Sequence, residues 1–208
     1  MSARSVARGV WTSLLLLASL SGQAADPPAG SDQAASSASP EITTSAEEPA
    51  DFWTGPINGP VPLTLAGGAV IHTQELDELL KKGDVILIDV SNRPRRPENL
   101  APGAPWLPTP HRSIPGTVWI PGAGAGAIAP EIDSYFRDRL AQLTGNDLDH
   151  PIVIYCHERC WLSWNGAKRA VRYGYRAIHW FPEGIEGWRA AGLEAVVVEP
   201  SAPARAAP

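Results

Sequence analysis

The chain has 208 residues, with 17 Lys and Arg against 22 Asp and Glu and a formal net charge of −5. Such an acidic balance lacks the basic surface that nucleic acid or an anionic membrane demands, so neither is expected as a partner. Only two cysteines occur, Cys156 and Cys160, which excludes a disulfide-dense scaffold and a multi-cysteine zinc fold.

Arg4 and Arg8 precede an uncharged, mostly apolar run, Val10 to Leu20, and small residues follow in Gly22-Gln23-Ala24-Ala25. This layout predicts a signal peptide over residues 1–25 and a periplasmic location. The run is short against the roughly 20 residues of a membrane span, and no later stretch is long and apolar enough for one. Cleavage would remove two arginines and no acid, moving the formal charge from −5 to −7. Residues 26–50 are rich in Ala, Ser, Pro, Asp and Glu, a composition expected of a disordered linker. Residues 200–208 resemble them. The remainder, residues 51–199, suffices for one domain with its own core.

Within that domain, Thr73 is expected to cap a helix over Gln74–Lys82, with Leu76, Leu79 and Leu80 on one face and Gly83 at its end. Val85–Val90 is nearly all apolar and β-branched, as a central parallel strand should be. A long proline-rich segment, Arg93 to Arg112, follows; loops of that length usually serve a function or move. Ser113-Ile114-Pro115-Gly116 reads as a turn and Thr117–Ile120 as a short strand. Gly122 to Gly126 is expected to be flexible. Pro130 suits the first turn of a helix running to Thr144. Pro151–Tyr155 is a second buried strand, and a helix is expected from Leu162 to Tyr173, ended by Gly174. Ala177–Trp180, a turn at Pro182-Glu183-Gly184, a helix over Ile185–Ala191 and a strand over Ala195–Val198 complete the chain. Strands alternating with helices predict an α/β domain with a mostly parallel sheet, whose reactive groups collect at strand carboxyl ends.

Both cysteines fall at such an end, in Tyr155-Cys156-His157-Glu158-Arg159-Cys160-Trp161. Unpaired amides at a helix start and a nearby cation favour thiolate over thiol. Cys156, at the strand end with Arg159 nearby, is therefore expected to be the attacking thiol and Cys160 the resolving one. Four uses of the pair stay open. It can be a dithiol/disulfide couple. It can be a soft-metal site for Cu(I), with Cys156, Cys160 and His157 as ligands. It can carry a persulfide on Cys156 for sulfur transfer. It can be a plain disulfide in a binding module, although so small a loop stabilises less than the ~3 kcal/mol of a 15-residue one. Trp161 adjoins the loop and is a candidate wall; Trp164, Trp180 and Trp188 read as core. Asp89 ends a buried strand and needs a partner. His111 and Arg112 precede the turn and are expected in solvent. Glu183 is expected to cap the helix from Ile185.

Over about residues 69–199 the chain resembles the rhodanese-like family. Leu87-Ile88-Asp89-Val90 is similar to its first core strand. Ser113-Ile114-Pro115-Gly116-Thr117 is similar to its His-Ile-Pro-Gly-Ala turn, and Val153-Ile154-Tyr155-Cys156 to the strand feeding its active cysteine. Gly174-Tyr175, Glu183-Gly184, Trp188, Ala191 and Gly192-Leu193 follow its closing pattern. The resemblance implies a rhodanese fold and, at Cys156, sulfurtransferase chemistry. The fourth loop position, commonly glycine in those enzymes, is Arg159 here, so thiosulfate:cyanide turnover is expected to be weak. Cys156, Cys160 and Trp161, with Ser163-Trp164-Asn165, resemble an exported subfamily with a cysteine pair followed by Trp. That subfamily is associated with pyrroloquinoline-quinone (PQQ)-dependent alcohol catabolism. The association implies a periplasmic quinoprotein dehydrogenase or c-type cytochrome system as partner, and catalytic roles for Cys156, Cys160, Arg159 and Trp161.

Overall fold

The computed structural model describes residues 45–201. The expected signal peptide, most of the expected linker and the tail beyond Ser201 lie outside the described residues. The elements in chain order are β1 (Ala69–Val70), α1 (Thr73–Lys82), β2 (Ile86–Asp89), β3 (Arg112–Ser113), β4 (Val118–Trp119) and α2 (Pro130–Thr144). Then come β5 (Ile152–Tyr155), α3 (Trp161–Arg172), β6 (Ile178–Phe181), α4 (Gly184–Ala190) and β7 (Val196–Val197). Five strands form a parallel sheet in the order β1-β6-β5-β2-β4, and β3 with β7 makes a separate antiparallel ribbon.

The sheet is covered on both faces, which is why its central strands β2 and β5 are almost wholly apolar, Asp89 at the end of β2 excepted. Ile88, Ile152 and Ile154 pack with Phe136 and Leu140 of α2 and with Trp164 and Ala167 of α3. The alternate residues Leu87, Val153 and Tyr155 pack with Leu76 of α1 and with Ile185 and Trp188 of α4. Period-two alternation thus divides one run of apolar residues between two cores. At the sheet centre β2 pairs with β5, setting Asp89 beside Tyr155, so the chain leaving β5 emerges from the middle of the carboxyl edge.

Several local expectations are corrected. Thr73 does not cap α1: His72 holds that position, its N–H donating to Glu75 Oε2 at 2.8 Å. The amide and hydroxyl of Thr73 instead donate to Glu183 Oε2 at 2.8 and 2.7 Å. Glu183 therefore ties down the start of α1 and makes no side-chain cap on α4, the helix it was expected to serve. Its other oxygen lies 2.7 Å from His72 Nδ1. Gly122–Gly126 is a packing device: a Cβ at Gly124 would stand 2.3 Å from the Leu162 carbonyl oxygen, and one at Gly126 would stand 1.9 Å from that of Trp53. The edge strand β1 has too few residues to show a period in the sequence. Residues 46–50, ahead of the expected domain start, bond to it: Lys168 Nζ donates to the Pro49 carbonyl at 3.0 Å and Arg172 to that of Ala50 at 3.3 Å. No helix among the described residues is long and apolar enough to cross a membrane.

Candidate functional site: the cysteine loop

Strand β5 ends at Tyr155, and the next residue, Cys156, is wholly buried. The chain then makes a tight turn through His157, Glu158 and Arg159, all exposed, before Cys160 caps α3. Arg159 takes a left-handed φ of 53°, at a cost of roughly 1–2 kcal/mol for a residue with a Cβ. The loop thus keeps a glycine-like conformation without the glycine, and the Arg159 carbonyl accepts the Gly59 amide at 3.0 Å. Beneath the loop, the Ile185 amide donates to the Cys156 carbonyl at 3.0 Å. That approach requires Gly184, at φ 58°, where a Cβ would lie 2.5 Å from the same oxygen.

The two cysteines are free thiols in this structure. The Cys156 S–H faces the carbonyls of His157 and Cys160, each at 3.6 Å. Ser163 Oγ donates to the Cys160 carbonyl at 3.0 Å and accepts from Trp180 Nε1 at 3.0 Å, which fixes the floor under the pair. Burial pushes the Cys156 thiol well above its ordinary range, and the neighbouring Cys160 sulfur pushes in the same direction. The Cys160 thiol is lowered to about 7, chiefly because the Cys156 thiol stabilises its thiolate, with help from the Leu162 and His157 amides and the His157 ring against the effect of burial. The Leu162 amide lies in the first turn of α3, where Cys160 holds the N-cap position without a side-chain cap hydrogen bond. The helix start acts on both thiols: the Leu162 amide favours the Cys160 thiolate, and the Ser163 amide and hydroxyl partly offset the burial of Cys156.

The remaining expected site residues divide. Trp161 is 2% exposed and stacks on Trp53, with centroids 4.4 Å apart and planes at 15°. It also meets Trp164 edge-on at 5.4 Å, so it is a wall of the site. His157 is half exposed and its Nδ1 lies 2.8 Å from Glu186 Oε1. Burial of Glu186 favours its neutral form, but His157 and the Glu158 amide outweigh that and lower its pKa. No group of three or more His, Cys, Asp or Glu with metal-holding geometry occurs among the described residues. The expected ligand set of Cys156, Cys160 and His157 is therefore not assembled.

A strap that sequence reasoning missed closes the loop from above. Asn58 pairs antiparallel with Cys160, and the Ile57 carbonyl accepts the Trp161 amide at 2.8 Å. Asn165 of α3 clamps the strap: its Oδ1 accepts the Trp53 amide at 2.8 Å, and its Nδ2 donates to the Trp53 carbonyl at 2.9 Å and to that of Gly124 at 3.2 Å. With the strap down, Cys156 is 0% and Cys160 3% exposed. The one sequence signal for it was a cluster of large side chains, Phe52 and Trp53, just after a polar stretch.

The profile of the rhodanese-like domain matches residues 72–191. The chain belongs to the rhodanese-like family. A search of curated proteins finds no match. Among solved structures, this rhodanese-like chain is similar to the thiosulfate sulfurtransferase of Pseudomonas aeruginosa, with 20% identity over 65% of this chain and a TM-score of 0.45. It spans 21% of the length of that protein. A human single-domain sulfurtransferase shares 21% identity over 58% of this chain and 95% of its own, at a TM-score of 0.38. The polysulfide-sulfur transferase of Wolinella succinogenes shares 18% over 63% of this chain and 80% of its own, at 0.40. Both cysteines fall within the matched residues.

Proposed function

We propose that this rhodanese-like protein takes up sulfane sulfur at its cysteine pair and discharges it reductively. The observation that carries the reading is two free thiols in one loop, Cys160 at the start of α3 and Cys156 wholly buried beneath it with its S–H toward the Cys160 carbonyl. The Cys160 thiolate attacks the outer sulfur of a donor such as thiosulfate, forms a persulfide bond and expels sulfite. The Cys156 thiol gives up its proton and attacks the Cys160 sulfur. The persulfide bond breaks, hydrosulfide leaves and a Cys156–Cys160 disulfide forms. One thiosulfate and two thiols thus become sulfite, hydrosulfide, a proton and a disulfide, which an external dithiol reduces.

Family membership and the dithiol support this reading together. The same couple exchanging with a partner's disulfide is the second reading, favoured by two free thiols held in one loop. Arg4, Arg8 and the apolar run after them support a periplasmic setting. The likeness of Cys156, Cys160 and Trp161 to the exported subfamily supports a place beside PQQ-dependent alcohol oxidation.

The test mixes fully reduced protein with thiosulfate. One hydrosulfide per chain and a disulfide are expected from the natural sequence. Cys156→Ser should stop with one extra sulfur atom on Cys160, and Cys160→Ser should release nothing. If no hydrosulfide appears but the pair reacts with a disulfide reagent, the exchange reading replaces this one. Tight uptake of Cu(I) by the reduced pair, with neither reaction, would favour metal handling.

A further inference from the structure

The long loop between β2 and β3 builds a second site. Its segment Trp106 to Pro110, together with Trp119 of β4 and residues 197–200, encloses a cavity of about 490 Å³. No residue of the cysteine loop lines it. Most of the wall is apolar, with Trp106, Leu107, Pro108 and Trp119 prominent, and Leu107 is 92% exposed, so the cavity opens to solvent. One cation, Arg93, and one anion, Glu199, also line it, which leaves the lining formally neutral.

His111 supplies the directional group. Expected in solvent, it instead has a side chain only 10% exposed. Its ring lies 4.0 Å from that of Trp119, stacked at 23°. Its Nε2 is 2.7 Å from Asp89 Oδ2, an oxygen that also accepts the Ser113 hydroxyl at 2.6 Å. Asp89 Oδ1 accepts the Ser91 amide at 2.8 Å. Burial works against the Asp89 charge, but these donors outweigh it and hold the carboxyl below its ordinary range. A carboxylate only accepts, so Nε2 carries a proton, and in the Nε2–H tautomer Nδ1 is a lone-pair acceptor. Nδ1 makes no hydrogen bond among the described residues. An acceptor backed by a carboxylate, in an indole-walled cavity of ligand size, selects a flat apolar molecule with an acidic O–H. The neutral lining disfavours a charged one.

We propose that this cavity binds a small neutral aromatic alcohol of the phenol class, its ring against the indole walls and its hydroxyl donating to His111 Nδ1. The site is independent of the cysteine pair and of the sulfur chemistry proposed there.

The test is calorimetric titration of the full chain with 2-naphthol and with 2-methoxynaphthalene, whose oxygen has no proton to donate. Naphthol should bind once per chain, about tenfold more tightly than the ether, the size of one net hydrogen bond. His111→Phe keeps a ring on Trp119 and should reduce naphthol to the affinity of the ether. Leu107→Asp, at an exposed wall position that the fold tolerates, should weaken both ligands. Thermal melts check that each variant is folded. If His111→Phe fails to fold, the naphthol-to-ether ratio and the Leu107 variant decide. Equal binding of the two ligands, no binding of either, or naphthol binding unaffected by Leu107→Asp would overturn the proposal.

Discussion

Cys156 and Cys160 differ by a few ångströms of environment, and the roles proposed for them follow from that difference. Position at the strand end suggested Cys156 as the nucleophile, because helix amides and Arg159 were expected to act there. Instead Cys156 is wholly buried under the loop, its S–H toward two carbonyls and Ser163 of the helix start acting on it, while Cys160 holds the N-cap position of α3 and is slightly less buried. Cys156→Ser, which retains Cys160 and replaces one S–H donor by an O–H, should therefore be alkylated faster than Cys160→Ser. Its rate should fall roughly tenfold per pH unit below about 7, as thiolate is lost, and level off above. Cys156→Ala removes the donor, so its midpoint should move upward. Faster alkylation of Cys160→Ser would restore the order expected from sequence. Asp89 shows the same dependence on surroundings: as a buried acid it required a partner, and the fold supplies His111, Ser113 and the Ser91 amide.

Among the elements, the strap and the start of α4 govern the loop. The strap is held by the Asn165 clamp and the Trp53–Trp161 stack, both confined to one corner of the domain. Trp53→Ala should free it locally. Alkylation of the reduced pair is expected to quicken by tenfold or more while the thermal midpoint drops only slightly, since the sheet is untouched. Unchanged alkylation would show that another route reaches the thiols. Gly184→Ala acts from below. It places a Cβ against the Cys156 carbonyl in a left-handed backbone, so a loss of about 2 kcal/mol or more is expected by denaturant unfolding. The Ile185–Cys156 hydrogen bond should weaken with it, visible as faster exchange of the Ile185 amide.

Across the whole molecule, the two cores share the same strands, so neither face can come apart alone. Ile154 is wholly buried between its neighbours on the α2–α3 face. Ile154→Ala should cost about 2–5 kcal/mol and leave one cooperative transition. Loss of near-ultraviolet dichroism and release of the thiols should then share a midpoint. Separate midpoints would mean that the loop corner unfolds as its own unit. The contrast with Trp53→Ala, where thiols are exposed without global unfolding, distinguishes local opening from global opening.

The sequence by itself determined the α/β class, the two central strands and the place of the cysteines. Strands buried on both faces are mostly apolar, and Pro130 with Gly145 brackets α2 by purely local chemistry. The parallel sheet order, the strap, the seat of Glu183 and the pairing of His111 with Asp89 were decided by the tertiary structure. Each joins groups far apart in the chain: Trp53 to Asn165, Thr73 to Glu183, Asp89 to His111. Local propensity carries no record of such distances. The acidity of the two thiols belongs with these, because burial and the direction of amides and carbonyls exist only once the loop is pressed between strap and sheet.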